Sequence, residues 1–223
     1  MSPATQSGEC GILAAARDLF ARLGYDAVSM SMIAAEAGVS KANLYHHFGS
    51  KDDLYFAVLR DACDDKCIAW SRLRDQDVSV VERLRRFARE HLQEICTKPT
   101  HVRLIMREVA EHSEHRGRKL AEEVFGSDFG EIVALFKEGQ ARGELDADVD
   151  PAFVAGLLLS ANLTFFQWRD VMRHMPTAEF ADDPAAYADG VVEVLLHGIA
   201  KPGADAGVSK VKKSARKSRA CTD

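Results

Sequence analysis

Several things are scarce in this 223-residue chain. Its five cysteines are an odd number at no framework spacing, which excludes a disulfide scaffold and fits reduced thiols. No run alternates apolar and polar residues as a strand would, and no segment repeats, so neither a sheet protein nor a solenoid is expected. No apolar run approaches the length of a bilayer span. The densest patch, Gly156-Leu157-Leu158-Leu159, is followed in the same helix by Asn162, Gln167, Arg169 and Asp170. The opening residues hold neither a basic stretch nor a continuous apolar one, so no secretory signal is read there and a cytoplasmic location is expected. Met1 to Ala16 contains no basic residue at all.

What is present is helix. With 47% hydrophobic residues the chain can build one sizeable core, or a small domain joined to a larger one. Ile12, Ala16, Leu19, Phe20 and Leu23 keep a helical stripe that Gly24 ends. Lys51 to about Arg74 is expected as one long helix, and Val80 to Cys96 as another that Lys98-Pro99 stops. His101 to about Ser113 follows. Arg118 to Gly143 is long but interrupted, with a kink or short break near Gly126, Ser127 and Gly130. Asp150-Pro151 and Asp183-Pro184 each set a cap residue before a proline at the first helical position, starting the last two helices, to about Met175 and Ala200. The fold class is therefore all-α.

The segment Ser29 to Leu54, SMSMIAAEAGVSKANLYHHFGSKDDL, spells two short helices around a glycine turn and the start of a third. Ile33, Ala34 and Ala37 form the inner face of the first, and Gly38 supplies the positive φ of a sharp turn. Val39 plugs the corner. Ser40 caps the second helix, which Leu44 and Phe48 anchor inward. Lys41, Asn43, Tyr45, His46 and His47 are left outward, an amide and imidazoles for base edges with an ammonium and a phenol for phosphates. Ser50 and Asp53 make a capping box with Asp in place of the usual Glu or Gln. Lys51, in a first turn whose dipole favours anions, points to a phosphate contact.

Leu23-Gly24-Tyr25, Ser29, Ile33-Ala34, Ala37-Gly38-Val39-Ser40, Leu44-Tyr45-x-x-Phe48 and Ser50-Lys51-x-x-Leu54 together closely resemble the DNA-binding domain of the TetR family of bacterial regulators, over about Ile12 to Leu59. The resemblance implies an N-terminal three-helix helix-turn-helix domain over residues 1–50 and a helical ligand-binding and dimerisation domain over 51–200. It implies a ligand-responsive regulator, most simply a repressor released from a palindromic DNA operator by a small effector, with no enzyme activity, cofactor or metal. Base contacts then fall to Lys41, Asn43 and His46, and backbone contacts to Ser29, Ser40, Tyr45, His47 and Lys51. Two departures stand out: the arginines and lysines common before the first helix are missing, and Ser31 stands where an arginine is frequent. Residues 1–60 hold five basic against six acidic side chains, so this unit attracts DNA only weakly by charge.

Cations gather instead at the other end. Residues 201–223 carry seven basic side chains against two acidic ones, in a Pro-, Gly-, Ala- and Ser-rich context expected to be disordered. The tail is either a non-specific DNA tether or a solubilising segment. Pro151 to Met175 is apolar nearly all round, with Ala155, Gly156, Ser160 and Ala161 permitting close helix approach, and Pro184 to Ala200 carries Tyr187, Val191, Val194, Leu195 and Ile199. A homodimer through these last two helices is expected, one face against the ligand domain and the other against a second subunit.

Chemistry elsewhere is thin. His112 and His115 in EHSEH, three apart, lack a third ligand and read as a solvated helix end before a metal site. Cys63 and Cys67, with Cys96, read as small hydrophobes before a thiol sensor. The effector cavity implied between Lys51 and Met175 has aromatic walls, and Trp70, Phe87, Phe129 and Phe166 with the polar His91, Glu108 and Asn162 are the candidate ligand-binding residues for an apolar or aromatic molecule. Two other readings stay open: an activator or architectural DNA binder governed by its acidic body and basic tail, and a helical small-molecule protein with a vestigial helix-turn-helix. The effector, the operator and the sign of regulation are not written in the sequence.

Overall fold

The computed structural model describes residues 3–64, 78–111 and 114–197, and within them every regular element is helical. Four helices form the N-terminal part: α1 (Pro3–Leu23), α2 (Met30–Glu36), α3 (Lys41–His47) and α4 (Lys51–Asp64). Then come α5 (Val80–Thr97), α6 (Pro99–Glu111), α7 (Glu114–Leu120), a π-helical turn (Ala121–Phe125), α8 (Gly126–Ala141), α9 (Pro151–Met172), a 3-10 turn (Glu179–Asp182) and α10 (Pro184–His197). The expected continuation of α4 to Arg74, with Trp70 and Cys67, lies outside the described residues. So do His112, the side chain of His115, and everything after His197, the basic tail included.

Local chemistry sets most boundaries. Gly24 ends α1 at φ +82, its N–H reaching Phe20 O at 2.9 Å, and a Cβ there would sit 3.0 Å from the Arg107 guanidinium carbon. Ser79 caps α5 by accepting from Glu82 N at 3.2 Å, and Asp150 caps α9 by accepting from Ala152 N at 2.8 Å ahead of Pro151. Pro99 both stops α5 and opens α6. Between 114 and 141 the helix does not break as expected: it stays helical by taking a π turn immediately before Gly126. An extra residue is absorbed there.

Two cores result. The first joins Ile12, Leu19 and Phe20 of α1 with Ile33 of α2, Leu44 of α3 and Leu54 to Leu59 of α4, and it takes in Leu104, Leu120 and Val124 from the C-terminal part. The second packs α5, α8, α9 and α10 through Phe87, Leu92, Phe136, Leu158, Phe165 and Val192. α4 therefore belongs to the helix-turn-helix core by its packing while α6 and the π turn grip it from the other side.

One expectation needs correction. Pro151–Met172 is long and apolar enough to cross a membrane, with mean hydropathy 1.2 over an 18-residue window, although no such run was expected from the sequence. The charged residues counted against it, Arg169 and Asp170, fall at its last turn, past most of the apolar length. Only 22% of that window is buried within the chain, and Phe153, Leu157, Trp168 and Val171 are exposed. Nothing among the described residues covers them.

Candidate functional site

The corner between α2 and α3 is built by caps and one glycine. Ser29 accepts from Met32 N at 3.2 Å and starts α2, whose Met30, Ile33 and Ala34 are buried. Gly38 turns the chain at φ +67, and Val39 N bonds back to Ala34 O at 3.0 Å. Ser40 then accepts from Asn43 N at 3.1 Å. Leu44 is wholly buried and Phe48 nearly so, which rolls the opposite side of α3 outward. Lys41, Asn43, Tyr45 and His46 are exposed; Tyr45 keeps 45% of its surface, so it is not a core tyrosine. His47 is half-buried between His46 and Phe48. The hydroxyls of Ser29 and Ser40 spend an acceptor position on the caps, and each retains a proton to donate. The sequence thus located Lys41, Asn43, Tyr45 and His46 on the outward side of α3; it did not single out the exposed Ala42, and it placed His47 outward where the structure half-buries it.

Just beyond, Ser50 accepts from Asp53 N at 3.1 Å and donates its hydroxyl to the Asp53 carboxylate at 2.8 Å, so Asp53 takes the serine hydroxyl and not the backbone N–H that the acid of a capping box would take. Lys51 is half-buried, its ammonium 4.1 Å over the Tyr25 ring. Burial and the Asp52 carboxylate bonded to it push the Tyr25 phenol up from its ordinary value.

Tyr25 opens a cluster that sequence reasoning did not assemble. Its ring meets Tyr55 edge-on at 4.9 Å, and Tyr55 donates its hydroxyl to buried Glu108 at 2.8 Å. Arg116 stands 3.1 Å from the same carboxylate, with its guanidinium 4.2 Å over Tyr25 and 5.0 Å over Tyr55. Glu108, expected in the ligand cavity, therefore faces the first core, where α6 and α7 meet Tyr25 and α4. Only the bare run of Arg116, Arg118 and Lys119 hinted at this, and nothing local says what a cation on α7 will meet.

The other expected ligand residues are divided. Phe87, His91 and Asn162 meet where α5 packs on α9: Phe87 stacks on His91 at 5.1 Å, and Asn162 Nδ2 donates to Ala88 O at 3.0 Å and to His91 Nδ1 at 3.1 Å. Since the amide nitrogen has only protons to give, Nδ1 accepts and the neutral ring carries its proton on Nε2. Phe166 is half-buried on α9, and Phe129 lines a different space, an apolar hollow of about 290 Å³ beside the π turn. A second hollow of about 550 Å³ opens between α5, α8, α9 and α10, lined by Leu84, Phe136 and Leu158 with Glu144 and Asp146 at its polar part. The structure does not gather the expected residues into one cavity.

Burial pushes the His91 imidazole down to about 4. In the unfolded chain the ring takes its proton near pH 6.5, so between those values the unfolded state holds the extra proton. Stability present above pH 6.5 is lost as the pH falls toward 4, by about 3 kcal/mol at the bottom of the window. Urea unfolding at pH 7 and pH 4.5 should show this loss, and His91→Gln should remove that part of it; equal losses in both proteins would show that His91 is not responsible.

A family profile described as bacterial regulatory proteins of the tetR family matches residues 12–58, and one described as a tetracyclin repressor-like C-terminal domain matches residues 77–199. The HTH-type transcriptional regulator RutR of Escherichia coli K12 is 44% identical over 63 residues, 28% of this chain and 30% of that protein. The aligned part thus spans less than a third of that relative's length. UidR of the same organism is 25% identical over 201 residues, covering 89% of this chain and 96% of its own. Among solved structures, FadR of Bacillus subtilis in complex with stearoyl-CoA superposes with a TM-score of 0.71 at 19% identity, over 86% and 99% of the two chains. AibR in complex with isovaleryl coenzyme A and operator DNA gives 0.63 at 28% identity, over 85% and 98%.

Proposed function

This chain belongs to the TetR family of bacterial transcriptional regulators, and from that premise we propose that it is a homodimeric repressor released from a near-palindromic operator by a small apolar effector. The observation that carries the DNA-binding part is the outward face of α3: a capped helix anchored by buried Leu44 that holds Lys41, Asn43 and His46 in solvent. These three read bases in the major groove, while Ser29, Ser40, Tyr45, His47 and Lys51 hold phosphates. Lys51 leaves the Tyr25 ring to do so.

Two half-sites spaced by about one turn of DNA or more, roughly 34 Å, call for two recognition helices held at a constant separation. The uncovered apolar residues of α9, together with Val194 of α10, support a four-helix interface between protomers. α10 is firmly placed for that role: Arg89 grips Asp189 and Arg85 grips Glu193 from α5, and Tyr187 donates to Ala161 O of α9 at 2.9 Å. A partner subunit on this face also explains a helix of such hydropathy without a bilayer. The protein works in the cytoplasm, where the chromosome is.

The effector is bound in the C-terminal domain. Phe129, which lines the hollow beside the π turn, is its candidate contact together with Trp70 and Phe166, while Phe87, His91 and Asn162 support the site from the packing of α5 on α9 and Glu108 acts through the Tyr25 and Tyr55 cluster. The likeness to AibR supports an acyl thioester of coenzyme A as one form the apolar molecule takes. Selecting operator fragments from random DNA with the full chain, then titrating them with isovaleryl-CoA, stearoyl-CoA and aromatic acids, tests the reading. A symmetric site bound by one dimer and released by an apolar ligand is the expected result. An effector that saturates the protein and leaves operator affinity untouched would overturn ligand control.

A further inference from the structure

Opposite chemistries share the short stretch from 116 to 125. Toward α4 and the Tyr25 loop it is ionic. Arg116 lies against Glu108 and over the Tyr25 and Tyr55 rings; Lys119 is 3.5 Å from Asp52 and 4.0 Å over the Phe56 ring; Glu123 accepts from Arg60 at 2.7 Å. On another side it is carbon. Leu120, Ala121 and Phe125, with Val109, Gly117 and Phe129, line a shallow, largely open hollow of about 290 Å³.

The part that joins these two sides is the π turn, Ala121–Phe125. Such turns hold one residue more than the surrounding α-helix and gather at functional sites. Returning one to α geometry shifts the helical phase by one residue, about 100° at 3.6 residues per turn, so α7 and its cations would rotate relative to α8. Gly126 permits the present form: a Cβ there would lie 2.6 Å from the Ala121 carbonyl oxygen, a backbone atom with nowhere to go. The π form therefore depends on glycine at 126, and an α-helical form of the same segment would be its alternative.

We propose that the hollow beside the π turn receives the apolar end of the effector, a short acyl chain or a single aryl group, and that its occupancy is passed to the DNA-binding part by the π turn and the Arg116 clasp on Tyr25. The inference rests on the ligand-controlled reading above and adds the place of entry, the ligand chemistry and the moving part. The size suits this class: 290 Å³ is at the small end of ligand sites, enough for an acyl or aryl end but not for a whole coenzyme A thioester. The walls suit it too, being built of Val, Leu, Phe, Ala and Gly with no charged side chain. Only a ligand that prefers one arrangement of the π turn shifts the balance, and filling a carbon-lined hollow that this turn helps to form supplies that preference.

The test uses the full chain, the selected operator, and N-phenyl-1-naphthylamine, an uncharged aryl fluorophore, as probe. The wild-type protein should bind the probe with enhanced fluorescence and lose operator affinity about tenfold when saturated. Ala121→Trp fills the hollow from an exposed position and should weaken probe binding at least tenfold. Val154→Trp, which fills the larger hollow instead, should leave probe affinity alone. Gly126→Ala disfavours the π turn and should change operator affinity about fivefold without any probe and blunt the response to it. Unchanged probe binding in Ala121→Trp, loss of it in Val154→Trp, or wild-type behaviour of Gly126→Ala overturns the proposal. If a coenzyme A thioester then still releases operator from wild type and Ala121→Trp alike, ligand control stands and only this site falls; if the wild type binds no operator, the repressor reading falls with it.

Discussion

Asn43→Ala is expected to lower operator affinity by about thirtyfold or more and to leave the fold untouched. A good bidentate amide contact to a base discriminates by about 1–3 kcal/mol, and a symmetric dimer loses two of them, so the deficit is about 2–6 kcal/mol at roughly 1.4 kcal/mol per tenfold. The side chain is exposed, so its removal opens no cavity. Its backbone N–H stays bonded to Ser40, and alanine is the better helix former. Fluorescence anisotropy on the selected operator, paired with thermal unfolding, separates the two quantities. Loss of affinity should be steep on the operator and slight on unrelated DNA, because base contacts specify and phosphate contacts only position. A change under twofold on the operator would remove Asn43 from the reading face.

The second large effect is expected at the apolar side of α9. Leu157 is 43% exposed in the single chain, so Leu157→Arg should cost the protomer little. In an isologous interface the same arginine enters twice, each unpaired and stripped of water, at several kcal/mol apiece. Dimer dissociation should become at least a thousandfold easier, and sedimentation should show a folded monomer at micromolar concentration. Operator binding should fall in parallel, since a monomer engages one half-site where the dimer engages two. A dimer that survives the substitution would place the interface elsewhere and leave Phe153, Leu157, Trp168 and Val171 unexplained.

The weak charge of the DNA-binding part bears on both results. With acidic side chains slightly outnumbering basic ones over residues 1–60, counterion release contributes little, and polar contacts such as those of Asn43 and Ser40 must supply more of the affinity. That is why a single amide is expected to matter so much.

How far the sequence could be read depended on the reach of each interaction. Ser40, Ser50 and Asp150 were legible as caps because a cap bonds two or three residues away. Gly24 and Gly38 were legible because a tight turn needs the positive φ that glycine adopts without penalty. The inward Leu44 and outward Asn43 followed from helical spacing. The π turn was seen only as an irregularity near Gly126, since glycine marks a place where backbone geometry is unusual but not which geometry it takes.

Glu108 shows the other limit. In the sequence it is a carboxylate among apolar neighbours, equally suited to a ligand or to a buried pair. Its partner Tyr55 is 53 residues away, and only the packing of α4 against α6 brings them within 2.8 Å. The aromatic residues divide in the same way. Phe87 is sealed in a core and Phe129 lines a hollow, yet their local sequence patterns are alike. Order along the chain alone settled the helix-turn-helix, most of its caps and the outward side of α3, because those depend on neighbours a turn or less apart. Tertiary packing decided which charges clasp the two parts together and where space remains for a ligand, because apolar burial is non-directional and carries no address until the helices meet.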